Sequence, residues 1–184
     1  MITKQLIVYL LACMGLLACS ASSVTIEGKD GINRQKEYYL YGCQAGSLIP
    51  IASALIDSNG CFRLNVPLPQ EGFYLLGTEQ GVMHPFYLKG NETIRLRFQT
   101  NGMILEGEQT PENQALSQWE QAATLVREHA FLYERFGGGY STDPATFTQE
   151  LEDLLRGRQQ LKPEKATGNA TFNSLLKAKM EADV

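Results

Sequence analysis

The sequence predicts a mainly β then α protein: an antiparallel β-sandwich-like domain of about seven strands, followed by a helical connector. Three observations predict this. Between residues 24 and 106, short runs of alternating apolar and polar residues recur at close spacing, which is the pattern of half-buried strands in a sandwich or open barrel. After Thr110 the apolar residues recur at three and four instead, the period of a helix face. The punctuation changes at the same place, from Asn-Gly turns to Thr-Pro and Asp-Pro helix starts.

The strands follow in order. Residues 24–28 alternate, and residues 36–41 are rich in tyrosine. Residues 48–57 form an apolar run in which Pro50 removes a ladder donor, so this strand belongs at an edge or in a loop. Ser58-Asn59-Gly60 then leads into residues 61–67, where Phe62, Leu64 and Val66 alternate with Arg63 and Asn65. Asn-Gly between two such runs is a strong short-range hairpin signal. Further strands are expected at 72–76, 85–88, 93–98 and 103–106, with a turn at Lys89-Gly90-Asn91-Glu92.

In the second half, Thr110 supplies a capping hydroxyl and Pro111 fits the first helical position. Leu116, Trp119, Ala122, Ala123, Val126, Ala130 and Tyr133 make one stripe, which ends near Phe136 and Gly137-Gly138-Gly139. Asp143-Pro144 opens a second helix bearing Phe147, Leu151, Leu154, Leu155 and Leu161. A third begins near Thr171 and carries Phe172, Leu176, Met180 and Val184, each four apart. That stripe still runs at Val184, so the helix either packs back on the sheet or leads into a further domain.

The N-terminus reads as a secretion signal and not as fold. Lys4 is followed by an apolar run from Leu6 to Ala18, too short for a spanning helix of ~20 residues, and then by Ser20, Ala21, Ser22 and Ser23. Leu16-Leu17-Ala18-Cys19 resembles the bacterial lipobox, and Leu10-Leu11-Ala12-Cys13 repeats the tetrad after a shorter apolar run. The resemblance implies a signal peptide at residues 1–18, lipidation of Cys19 and a tether at 19–23; the strand and helix patterns bound the β domain at 24–108 and the helical connector at 109–184. A diacylglyceryl group with a further acyl chain anchors a protein stably where a single chain does not.

The chain carries 16 Lys+Arg against 20 Asp+Glu. Loss of the signal removes Lys4 alone among these, so the mature protein is slightly more acidic still. That balance argues against nucleic acid as a partner, and against binding to anionic lipid beyond the anchor. With Cys13 in the signal and Cys19 at the anchor, Cys43 and Cys61 remain. They are either a disulfide, as an oxidising periplasm permits, or two small buried or half-buried thiols. Their spacing is unlike CxxC.

No catalytic constellation is evident. His84 and His129 stand apart, without the further ligands that zinc requires, and no cofactor or metal site is expected. Glu150, Glu152 and Asp153 fit the solvated face of a helix, and no phosphate-binding loop, dinucleotide fingerprint or nucleophile elbow occurs. The aromatics Tyr38, Tyr39, Tyr41, Phe73, Tyr74, Phe86 and Tyr87 either pack a core or line a ligand groove.

The order of parts carries a resemblance. After the lipobox come a strand ending Ile26-Glu27-Gly28, a tyrosine-rich strand, "ALIDSNGCFRL", "GFYLL", "PFYLKGNETIRLRF" and "LEGEQTPENQALSQW". From about Val24 to Trp119 this resembles the β-rich N-terminal domain, of unknown function, that precedes thioredoxin-like (AhpC-TSA, TlpA/ResA-like) domains in bacterial envelope lipoproteins. The resemblance implies a domain that positions or docks a thiol:disulfide oxidoreductase module, in cis or through that module's redox partner. The protein would be anchored to the inner or outer membrane of a Gram-negative envelope and face the periplasm. The chain itself has no CxxC and is expected to be non-catalytic, the redox chemistry belonging to a full-length parent. A stand-alone ligand- or peptide-binding lipoprotein is the alternative.

Overall fold

Along Thr93–Gln99 every second side chain, Ile94, Leu96 and Phe98, is buried, while Arg95 and Arg97 between them are exposed. The same alternation recurs at Ser23–Asp30 and Cys61–Pro67, and the first half of the chain forms eight strands among the described residues, one more than the approximate seven expected. In the computed structural model, which describes residues 22–31, 36–44, 46–79, 83–100, 102–136 and 143–183, these are β1 (Ser23–Asp30), β2 (Glu37–Gln44), β3 (Ser47–Leu55), β4 (Cys61–Pro67), β5 (Gly72–Gly77), β6 (His84–Leu88), β7 (Thr93–Gln99) and β8 (Gly102–Glu106). Three helices follow, α1 (Pro111–Phe136), α2 (Pro144–Leu161) and α3 (Ala170–Ala182), with a 3-10 turn at Pro163–Lys165. The signal segment, Cys19, the triple glycine and Val184 lie outside the described residues.

The strands form two four-stranded sheets, β4-β1-β7-β8 and β3-β2-β5-β6. Every pairing is antiparallel except β1 with β7, where Thr25 lies opposite Thr93 and Asp30 opposite Phe98. The inner faces of both sheets meet in one core, including Val24, Ile26, Leu40, Leu64, Leu76, Phe86 and Leu96. At one end of that core the Tyr38 ring stacks between Phe62 and Phe98, each at a centroid distance of 4.5 Å. Gly28 makes room for this stack, since a Cβ there would meet the Phe62 ring at 2.1 Å.

The Asn59-Gly60 turn departs from the hairpin expected of it. Gly60 has positive φ (78°), but Asn59 does not, so the two-residue primed turn does not form. Instead the Asp57 carboxylate accepts the N–H groups of Asn59 (2.9 Å) and Cys61 (2.8 Å). The turn hands the chain from β3 in one sheet to β4 in the other. Pro50 sits in a strand after all, and that strand is an edge, with a register shift opposite Leu40/Tyr41.

The helices bury a second core on the outer face of β5 and β6. Phe73 and Tyr87 point outward from the sandwich, and Phe172 meets both edge-on at 6.1 and 4.9 Å. Leu116, Trp119, Ala123, Val126, Leu154, Leu176 and Met180 complete it. Ala122 and Ala130, read as part of the α1 stripe, are exposed. Alanine is small enough to sit in water at little cost, so its place in a stripe is weakly determined. Thr110 caps α1 by accepting Asn113 N–H at 3.2 Å, and Asp143 caps α2 by accepting from Ala145 and Thr146.

Asn113 ties the two cores together. Its side-chain Oδ1 accepts the Tyr87 N–H at 2.8 Å, and its Nδ2 donates to the Tyr87 carbonyl at 2.9 Å. The amide thus imitates the next strand on the free side of β6 and closes that edge of the sheet.

Candidate functional site

The sequence singled out three sets of groups: two cysteines, two histidines with nearby carboxylates, and the sheet aromatics. The structure keeps the cysteines apart. Cys43 is paired with Leu48 beside the β2–β3 turn, whereas Cys61 follows Leu55 and the Asp57 turn at the opposite end of the sandwich. The seven strand steps from Leu48 to Leu55 span roughly 23 Å, far beyond the ~7 Å between Cα atoms that a disulfide tolerates. The disulfide between Cys43 and Cys61 is therefore corrected to two free thiols, with Cys43 exposed and Cys61 half-buried.

The histidines are not the isolated groups they seemed. His129 on α1 meets Glu150 on α2, Nδ1 to Oε2 at 2.6 Å, both largely covered. Glu150 is thus an inter-helix partner and not part of the solvated face; the two residues lie too far apart in sequence for helix periodicity to join them. His84 is the first residue of β6 and packs against Phe98 at 5.4 Å. Among the described residues, no group of three His, Cys, Asp or Glu side chains could hold a metal ion.

Burial lowers the His84 pKa, and the Glu120 charge offsets this only in part. The folded protein therefore resists the proton that the unfolded chain accepts near the usual histidine value of ~6.5. Stability should be level above that pH, fall as pH drops through it, and flatten below the folded-state pKa. The variant His84→Gln should lose this slope, as read by urea midpoints between pH 7.5 and about 5. An unchanged slope in the variant would remove His84 as its cause.

A polar cluster joins α1 to the end of α3. Trp119 Nε1 donates to Asp183 Oδ2 at 2.7 Å, Arg127 bridges Asp183 (3.2 Å) and Glu120 (2.6 Å), and Lys179 bridges the same two carboxylates (2.9 and 3.0 Å). Burial pushes the Asp183 carboxyl up, but the hydrogen bonds from Trp119 and Lys179 and the two cationic charges outweigh it, holding it below the ordinary range. With two cations set against two carboxylates, this cluster ties α1 to the end of α3.

The aromatics divide by face. Tyr38, Tyr74 and Phe86 fill the sandwich core, while Phe73 and Tyr87 fill the second core. Tyr39 and Tyr41 lie on the outer face of β2, 6.0 Å apart, but Tyr41 is only 9% exposed and Tyr39 is half-buried. The registers line up Pro50, Tyr41, Leu75 and Pro85 across all four strands of this face. The Tyr39 hydroxyl donates to Glu37 at 2.8 Å, and this bond is the main reason its pKa is raised to about 12. Such a surface can hold an apolar or aromatic group and orient it through one hydroxyl–carboxylate pair. Compared with protein-family models, curated proteins and solved structures, the chain matches none.

Proposed function

We propose that this chain is a lipoprotein of the Gram-negative envelope, held in the inner or outer membrane through Cys19 and facing the periplasm. Its β domain positions or docks a thioredoxin-like thiol:disulfide oxidoreductase module. The observation that carries the anchor is the Leu16-Leu17-Ala18-Cys19 tetrad at the end of a short apolar run, with β1 starting at Ser23 directly behind it. The docking role rests on the sequence resemblance and on the free, misaligned cysteines, which leave thiol chemistry to another module.

Intact mass of the native protein, extracted by detergent from membranes, tests both parts. A mature chain starting at an acylated Cys19 is expected, and Cys19→Ser should release the protein from the membrane fraction. An unmodified N-terminus in the soluble fraction would overturn the anchor. A mass larger by a domain of roughly 100–150 residues favours the docking role and makes the parent an oxidoreductase. A mass matching residues 19–184 plus lipid favours a stand-alone binding lipoprotein, for which the half-buried Tyr39 and Leu75 on the outer face of β2 and β5 are the supporting surface.

A further inference from the structure

Strand directions bring two features to one end of the sandwich. β1 starts there, where the Ser22 carbonyl accepts Leu68 N–H at 2.8 Å and the Ser23 carbonyl accepts Asn91 N–H at 2.7 Å. The β2–β3 turn lies at the same end, because Gly42 pairs with Tyr74 near the start of β5, just after the loop that holds Ser22. Three residue steps separate Ser22 from Cys19, a reach of at most about 11 Å.

The start of β3, beside this turn, is apolar and exposed. Leu48 and Ile49 are 47% and 39% exposed, and Cys43 beside them is exposed. From Tyr38 to Ile56 the chain carries no Asp, Glu, Lys, Arg or His, and neither does Val66 to Gln70, which leads into the Ser22 contact. The charges at this end belong to other segments. Lys89 pairs with Glu112, Glu92 accepts the Lys89 and Gly90 N–H groups, Glu71 faces Asn169, and Glu106 holds Arg97 at the far edge of the other sheet.

The geometry points to the start of β3 beside the β2–β3 turn, where Leu48 and Ile49 are exposed, as a membrane-interface contact that enters the headgroup region of the bilayer holding Cys19. This rests on the lipid-anchor reading. Apolar side chains free of nearby charge enter that region without desolvating an ion, and their binding is insensitive to anionic lipid and to salt. Two points of attachment, the acyl chains and the turn, fix the tilt of the domain where the acyl chains alone would let it pivot.

The test uses the acylated full-length protein in phosphatidylcholine vesicles containing a lipid spin-labelled near the headgroup. An environment-sensitive fluorophore is placed on Cys43 in a Cys61→Ser background. A control carries it on Ser58→Cys at the opposite end, with Cys43→Ser and Cys61→Ser. The Cys43 probe should be quenched several-fold more than the Ser58 probe, at low and high salt alike. Leu48→Asp with Ile49→Asp should bring the Cys43 quenching down to the control level while the protein stays anchored; the milder Leu48→Ser serves if the double variant fails to fold. Equal quenching at both ends, or quenching unmoved by the substitutions, overturns the contact. So does concentration-dependent dimerisation that the substitutions abolish, which would assign the turn to a second copy of the chain. A protein without acyl groups fails the anchor reading separately. Flotation of that protein with the same vesicles then reads the turn directly, and absence of flotation overturns the contact.

Discussion

Phe172→Ala should destabilise the whole protein by about 3–5 kcal/mol. The ring is fully buried at the start of α3, where it is the meeting point of sheet and helices. It packs edge-on to Tyr87 at 4.9 Å and to Phe73 at 6.1 Å, so its removal leaves a cavity under two rings that cannot collapse together. The expected loss is a large share of the ~5–15 kcal/mol that holds a typical domain together. Urea unfolding followed by Trp119 fluorescence and by far-UV circular dichroism reads it. Trp119 sits in the helical core, while the circular dichroism also sees the strands. The two transitions should coincide and shift together. A variant whose Trp119 signal is lost early, with the sandwich still folded, would show that the helices are a separate unit and that Phe172 does not couple them to the sheet.

Asn113→Ala comes next, at about 2–5 kcal/mol. The amide is nearly fully buried and satisfies both backbone groups of Tyr87. Alanine would leave an N–H and a C=O unpaired under α1, each costing about 1–3 kcal/mol. Asn113→Asp separates the two bonds. A carboxylate still accepts from the Tyr87 N–H but faces the Tyr87 carbonyl with a second oxygen, so at neutral pH it should fare no better than alanine. Protonation restores a donor, and the gap between Asn113→Asp and the native chain should narrow as the medium is acidified. Urea midpoints of the three proteins at two pH values decide it. An Asp variant equal to the native chain at neutral pH would mean that the carbonyl bond contributes nothing.

What the sequence disclosed depended on how near the determinants lie. Strand faces and helix starts are local. Ile94, Leu96 and Phe98 declare their face by period two, and Thr110-Pro111 and Asp143-Pro144 declare caps within a single turn. The stripe of Phe172, Leu176 and Met180 was legible for the same reason, and it does pack back against the sheet. Strand partners were not legible. The same Asn59-Gly60 that suggests a hairpin serves equally as a corner between sheets, because Asp57 supplies the closing hydrogen bonds. Side chains whose partners come from distant segments were hidden altogether: Asn113 looked like a helix-start residue, and His129 and Glu150 like unrelated polar positions. The division of the tyrosines into two cores and the outer face of β2 follows from alternation once a strand's inner side is known, but the second core could not be foreseen from β2 or β5 alone. Cys43 and Cys61 illustrate the limit most plainly, since their separation in space is set by a strand running the full length of the sandwich between them.

The parallel pairing of β1 with β7 bears on the order of events during synthesis. β1 is the first strand to be made, yet it lies inside its sheet, with β4 on one side and β7 on the other. Both neighbours are translated much later, and Thr25 finds Thr93 only after six other strands have been completed or begun. Until then β1 has β4 alone as a partner, with Val24 opposite Val66 and Ile26 opposite Leu64, and one side of the strand stays open. Such long-range closure is slow compared with local helix or hairpin formation. The sheet that holds β1 is therefore completed only when nearly all of the β domain has emerged, although β1 is made first among the described strands.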